Sequence, residues 1–239
     1  MKITLKIQRF DKEKDAAPRY QTYDMEAEPN DRLLDALMYV KTNLDGSIGL
    51  RKSCAHGICG SDAMVVNGTE RLACKTLIKD LVGNDGSVIT VEPLRSMPVQ
   101  KDLMVDQGRF FDNFRAVKPY LINDEPAGGK ERPQTPEERQ RFDDTTNCIL
   151  CAACYSSCPV IREKNPAFIG PAAVVNAARF IFDSRDRGMS ERLPVLDDAN
   201  GVWPCENHFN CTKVCPRSIK VTKNINATKT EIKKHKGLQ

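Results

Sequence analysis

Polar and apolar residues alternate at the start of the chain, so that residues 3–10 read as a strand with Ile3, Leu5 and Ile7 on one face. Residues 20–28 read as its partner across the turn-prone stretch 15–18. The period then changes. From Asn30, taken as an N-cap, Leu33, Leu34, Leu37, Val40 and Leu44 fall at helical spacing and predict an amphipathic helix of about three turns. Residues 63–66 and 72–73 flank Asn67-Gly68, a strong hairpin signal, and residues 87–91 predict a further strand. Strands around one helix predict a small α+β domain. The proline-rich stretch 93–98 marks a composition shift, placing a boundary near residue 100. Beyond it, residues 105–119 read as a helix carrying Phe110, Phe111 and Phe114, and 123–136 as a long loop with Gly128-Gly129 and three prolines. Pro136-Glu137-Glu138 reads as a helix start, and residues 171–183 carry Val174, Val175, Ala178 and Ile181 at helical spacing. The expected organisation is an α+β domain over 1–100 and an all-α domain with cysteine-bearing turns over 101–239.

The chain has 239 residues, 40% hydrophobic and 28% charged, as expected of a globular protein with room for two modest cores. No stretch approaches the roughly 18 consecutive apolar residues of a membrane span, so a chain that does not cross a bilayer is expected. The N-terminus lacks the apolar core of a secretory signal. The ten cysteines are therefore expected in a reducing compartment, where close spacing favours metal or redox chemistry over disulfides. A formal charge of +4 is too mild to indicate a nucleic-acid partner.

Cysteine spacing carries the chemistry. Cys54, Cys59, Asp62 and Cys74 form C-x4-C-x2-D-x11-C, the plant-type two-iron ferredoxin loop with aspartate in the third ligand position. Gly57 and Gly60 suit a loop that wraps closely and turns its N–H groups toward sulfur. A carboxylate is a harder ligand than a thiolate, yet binds iron. Two other readings stay open: a zinc site completed by Asp62 or His56, and a two-iron site in which Asp62 lies behind the ligands while Ser61 or water completes the set.

Cys148, Cys151, Cys154 and Cys158-Pro159 then form C-x2-C-x2-C-x3-C-P, echoed by Cys205, Cys211 and Cys215-Pro216. In two-cluster ferredoxins the fourth cysteine of each run serves the other cluster. That rule assigns Cys148, Cys151, Cys154 and Cys215 to a [4Fe–4S] cluster and leaves Cys158, Cys205 and Cys211 together. His208 stands where the second run lacks its second cysteine. Three thiolates suggest a [3Fe–4S] cluster; a competing assignment makes His208 a fourth ligand, and another uses the same residues for paired zinc sites.

These motifs, with Arg51-Lys52-Ser53-Cys54 and residues 102–106, 168–172 and 183–186, resemble the iron–sulfur subunit of succinate dehydrogenase or fumarate reductase over nearly the whole chain. The resemblance implies a plant-type ferredoxin-like (β-grasp) domain followed by an all-α, bacterial-ferredoxin-like two-cluster domain. It implies an electron wire with no catalytic residue of its own. A flavoprotein subunit with covalently attached FAD handles succinate and fumarate, and a quinone receives or supplies electrons at integral-membrane anchor subunits, whose haem b content the sequence leaves open. The expected location is peripheral, on the cytoplasmic face of a bacterial inner membrane. Two departures stand out. Some ubiquinone-reducing members place a Trp soon after the cysteine–proline pair, and those members often carry a His after the first cysteine of the second run. Here residues 159–166 contain no aromatic, Trp203 is displaced, and Glu206 takes the histidine's place, which points to menaquinone or to a quinone site mostly in the anchor. The lysine-rich stretch 220–236 reads either as a lipid-facing or as a solvated helical face. Rival readings are an iron–sulfur subunit of another flavoprotein, such as a soluble fumarate reductase, and a zinc-stabilised binding module.

Overall fold

The computed structural model describes residues 1–82, 87–126, 128–129 and 131–238. They form two compact units, Met1–Gln107 with Ile149–Ser157, and Gly108–Cys148 with Cys158–Gln239.

The first unit is built on a five-stranded sheet. Strands β1 (Lys2–Arg9) and β2 (Arg19–Glu26) pair antiparallel, followed by helix α1 (Leu33–Tyr39), the hairpin β3 (Ala63–Val66) and β4 (Thr69–Leu72), and β5 (Ser87–Glu92). The order is β2-β1-β5-β3-β4, with β1 parallel to β5. Alternation along β1 puts Ile3, Leu5 and Ile7 in the core, joined by Ile89 and Val91 of β5 and by Leu33, Leu34, Ala36 and Leu37 of α1. Asn67 and Gly68 turn the hairpin at φ +47° and +79°, both left-handed as a two-residue hairpin loop requires.

Three sequence expectations shift here. The helix begins at Leu33 rather than after Asn30, because the Asn30 carboxamide accepts from Lys79 and the Asp35 carboxylate instead takes the Arg32 N–H. After Tyr39 the helix widens into a π turn over Val40–Leu44, which leaves Leu44 exposed. The ribbon β6 (Val99–Lys101) and β7 (Met104–Val105) follows, so the next helix, α2 (Gly108–Ala116), is shorter than 105–119 because Val105 pairs with Val99. Arg9, almost wholly buried, ties this unit together. Its guanidinium donates to Asp102, Asp45, Gln21, Tyr23 and Ser47.

Among its described residues the second unit contains only helices and loops. Helix α3 (Pro136–Gln140) opens with a capping box: Thr135 Oγ1 accepts the Glu138 N–H, and the Glu138 carboxylate accepts the Thr135 N–H. The loop expected over 123–136 carries no helix or strand before Pro136 among the described residues; Ala127 and Lys130 lie outside them. In the first unit the short α4 (Ala153–Ser156) precedes the second unit's α5 (Pro171–Ile181), α6 (Met189–Leu196), α7 (Asn210–Lys213) and α8 (Val221–His235). Alanines 172, 173, 177 and 178 let α5 pack closely along α8, where Val221, Ile225 and Ile232 are buried. Arg192, fully buried, pairs with Asp186 at 2.7 Å and donates to the carbonyls of Val117, Lys118 and Tyr120, fixing the segment after α2. No helix of the described residues is long and apolar enough to cross a membrane.

Candidate cluster-binding sites

The first unit gathers Cys54, Cys59, Asp62 and Cys74. Ala55, Gly57 and Gly60 have left-handed φ values of +58°, +83° and +68°, which bend the loop around its own interior. Cys54 Sγ accepts the N–H groups of His56 at 3.5 Å and Cys59 at 3.3 Å, and these bonds draw the thiol down to about 6. Ser61 Oγ lies 3.2 Å from Cys59 Sγ. Cys74 follows β4 on a single 3-10 turn and is fully buried; burial and the Asp62 carboxylate push its thiol up to about 12.

Asp62 is itself 2% exposed. Its Oδ2 accepts the Cys74 N–H at 2.6 Å, whereas Oδ1 is buried with no hydrogen-bond partner. A buried carboxylate oxygen without a donor, beside three thiols of which one is strongly disfavoured as an anion by its surroundings, fits a bound cationic iron centre. His56 is exposed, with Nδ1 2.7 Å from the Cys54 carbonyl oxygen. Among the described residues no group of three or more His, Cys, Asp or Glu side chains has the arrangement of ligands to a single metal ion.

Cys151 and Cys154 belong to the same unit as this loop. Gly60 lies against Cys151 so closely that a Cβ on it would stand 2.7 Å from the Cys151 Cβ and 2.9 Å from its Cα. Ser156, at the end of α4, donates to Glu70 at 2.9 Å and accepts the Arg95 N–H at 2.8 Å.

Cys148, Cys158, Cys205, Cys211 and Cys215 belong to the second unit. The Asn176 amide, held on α5, reaches Cys148 Sγ at 3.5 Å while also donating to the Ala172 carbonyl. Cys158, Cys205 and Cys211 line one small cavity with Pro159, Phe168 and His208. Burial raises the thiols of Cys158 and Cys211, and mutual repulsion with Cys205 adds to it, as expected of three thiols that face one another. Thr222 Oγ1 stands 3.5 Å from Cys211 Sγ, and Lys229 donates to the Cys205 carbonyl at 2.8 Å. The chemistry of this donor set suits a cluster: three soft sulfurs line one space, and the Glu206 carboxylate beside them is engaged by Lys164 and His208.

The two cysteine runs share a backbone conformation. Leu150 and Ala152, at φ +53° and +62°, flank Cys151; Asn207 and Phe209, at +60° and +63°, flank His208; a four-residue helix follows each. His208 thus holds in the second loop the position of Cys151 in the first. Its Nε2 lies 2.9 Å from Glu206, which also binds Lys164 at 2.6 Å. Trp203 donates its indole N–H to Asp197, which also accepts from Lys236. Lys229 and Lys236, on the lysine-rich stretch, are therefore engaged within the chain. No spacing motif contains Asn176, Thr222, Glu70 or Arg95, which meet the cysteine loops from other elements of the fold.

Fold and thiol sets together define an iron–sulfur protein with one two-iron domain and one dicluster domain. Residues 4–112 match the family model of the 2Fe-2S iron-sulfur cluster binding domain, and residues 144–219 that of the 4Fe-4S dicluster domain. The chain is 42% identical to the succinate dehydrogenase iron-sulfur subunit of Coxiella burnetii, covering 96% of this chain and 97% of the relative. It is 37% identical to the fumarate reductase iron-sulfur subunit of Haemophilus influenzae, covering 96% and 92%. Among solved structures, a chain of the Mycobacterium smegmatis Sdh1 complex in the apo form superposes with a TM-score of 0.86 at 27% identity, covering 98% and 97%. The chain belongs to the family of succinate dehydrogenase and fumarate reductase iron–sulfur subunits.

Proposed function

We infer that this chain is the electron-transfer subunit of a succinate dehydrogenase or fumarate reductase complex, carrying single electrons between the FAD of a flavoprotein subunit and a quinone at the membrane anchor. The observation that carries this reading is the pairing of a two-iron loop with a separate three-thiol cavity in which histidine stands where a fourth cysteine would be.

Cys54, Cys59, Asp62 and Cys74 are assigned to [2Fe–2S]; Cys148, Cys151, Cys154 and Cys215 to [4Fe–4S]; and Cys158, Cys205 and Cys211 to [3Fe–4S]. Residues 1–100 are assigned as the two-iron domain and 101–239 as the helical two-cluster domain. When bound, these groups supply reversible one-electron chemistry at potentials set by cluster type, charge, hydrogen bonding and exposure. The chain's own residues anchor the irons and tune them. Backbone N–H groups of His56 and Cys59 stabilise the Cys54 sulfur, and Ser61, Asn176 and Thr222 bring one side-chain donor to each thiol set. The Asp62 carboxylate offers its unpartnered oxygen to iron.

Attachment to the cytoplasmic face of the membrane through the anchor belongs to the same proposal, as does menaquinone as the quinone, supported by residues 159–166 lacking an aromatic and by Glu206 pairing with Lys164 and His208. Purification of the complex from native membranes tests it. Co-isolation of a covalent flavoprotein, an integral anchor and succinate–quinone activity is expected. Isolation with a soluble flavoprotein alone would contradict it.

A further inference from the structure

We propose that Glu70 and Ser156 are positioning residues that hold the Cys151–Cys154 strap against the two-iron loop and thereby set the electronic coupling between the two-iron and four-iron centres. The proposal rests on the cluster assignment above and adds residues that no ligand motif contains.

Glu70 lies in the middle of β4, opposite Val65 of β3, and its side chain is 3% exposed. A carboxylate is costly in such a place unless it is hydrogen-bonded, and plain packing of a hairpin is served as well by an apolar residue. Glu70 has two partners from distant parts of the chain: Ser156 Oγ at 2.9 Å and the Arg95 guanidinium at 3.7 Å. Ser156 is fully buried, and its hydroxyl uses both capacities, donating to Glu70 and accepting the Arg95 N–H at 2.8 Å. A hydroxyl held from two directions cannot slide along the hairpin without losing one bond. Ser156 stands two residues after Cys154 on the single turn of α4.

The other end of the strap is fixed sterically. Gly60 of the two-iron loop abuts Cys151, and the Ile149 carbonyl oxygen would lie 3.1 Å from a Cβ on Gly60. The strap is thus pinned at Cys151 by close backbone approach and at Ser156 by hydrogen bonds, with Cys154 between. The two-iron loop and the strap are parts of one compact unit, and electron transfer falls steeply with separation. Residues that fix this separation govern coupling without touching iron.

The test uses the purified complex with Glu70→Ala, Glu70→Gln and Ser156→Ala. Iron content, midpoint potentials and the spin–spin broadening between the two reduced centres in electron paramagnetic resonance are the readouts. Glu70→Ala and Ser156→Ala should keep both signals while changing the broadening and shifting the four-iron midpoint. Glu70→Gln, whose amide oxygen still accepts from Ser156, should restore the broadening of the unaltered complex. Ser156→Ala removes only one hydroxyl and carries the test if Glu70→Ala fails to assemble. Unaltered broadening and midpoints in Ser156→Ala, or a Glu70→Gln spectrum matching Glu70→Ala, would overturn the proposal. The iron content and resting signals of the unaltered complex report separately on the cluster assignment.

Discussion

Asp62 and Cys74 are joined by a 2.6 Å hydrogen bond from the Cys74 N–H to Asp62 Oδ2, which leaves the buried Oδ1 free of any hydrogen-bond partner. On the proposed assignment this oxygen binds iron directly instead of standing behind the ligands. Asp62→Ala should lose the [2Fe–2S] cluster, about two irons per chain, while Asp62→Cys keeps it with an altered resonance spectrum. Iron analysis with spectroscopy of the reduced protein checks both, and a full cluster in Asp62→Ala would remove Asp62 from the ligand set.

Gly57 and Gly60 both sit at positive φ, yet their surroundings differ. A Cβ on Gly57 would first meet the flexible Lys75 side chain, at 2.8 Å, whereas on Gly60 it would stand 2.7 Å from the Cys151 Cβ and 2.9 Å from its Cα. Both alanine variants carry left-handed strain of about 1–3 kcal/mol. Gly60→Ala should in addition displace the strap, so thermal unfolding and iron occupancy should fall further than in Gly57→Ala.

Much of this architecture is legible in the amino-acid sequence, and the exceptions have physical causes. Alternation exposed β1 because one face is buried, and Asn67-Gly68 exposed the hairpin because only left-handed residues close it. The start of α1 departs from the expected one because Asn30 is drawn away by Lys79, a partner far along the chain. The strand at Val105 carries no local signal, because two residues hold strand geometry only through pairing with Val99 and Lys101. Ligand spacing is local and could be read directly. The donors that tune the ligands come from other elements, so no spacing announces Asn176 beside Cys148 or Thr222 beside Cys211.

Those donors have a predictable effect. An N–H or O–H aimed at a ligand sulfur favours the more negative, reduced state, so removing it lowers the potential. A loss of about 1 kcal/mol corresponds to roughly 40 mV for one electron. Asn176→Leu should lower the four-iron midpoint and Thr222→Val the three-iron midpoint, each leaving the other unchanged, as read by potentiometric titration.

Arg9 and Asp45 give the first unit its acid sensitivity. The Ser47 hydroxyl, followed by Tyr23 and Arg9, holds the Asp45 carboxyl well below the ordinary carboxylate range against the opposing effect of its burial. A depressed folded value contributes stability that is complete above the unfolded value of about 3.9 and is lost as pH falls through the folded value. Asp45→Asn should therefore flatten the loss of stability below about pH 4 in urea titrations. Arg9→Met, which strands two carboxylates, should cost about 3–5 kcal/mol at neutral pH.

Cluster count and type in the intact complex provide the most direct measurement. Iron analysis combined with quantitative electron paramagnetic resonance should give about nine irons per chain, divided among separate two-iron, three-iron and four-iron signals. A colourless chain containing zinc, or two four-iron clusters with His208 as a ligand in place of the three-iron signal, would contradict the assignment of electron carriers made here.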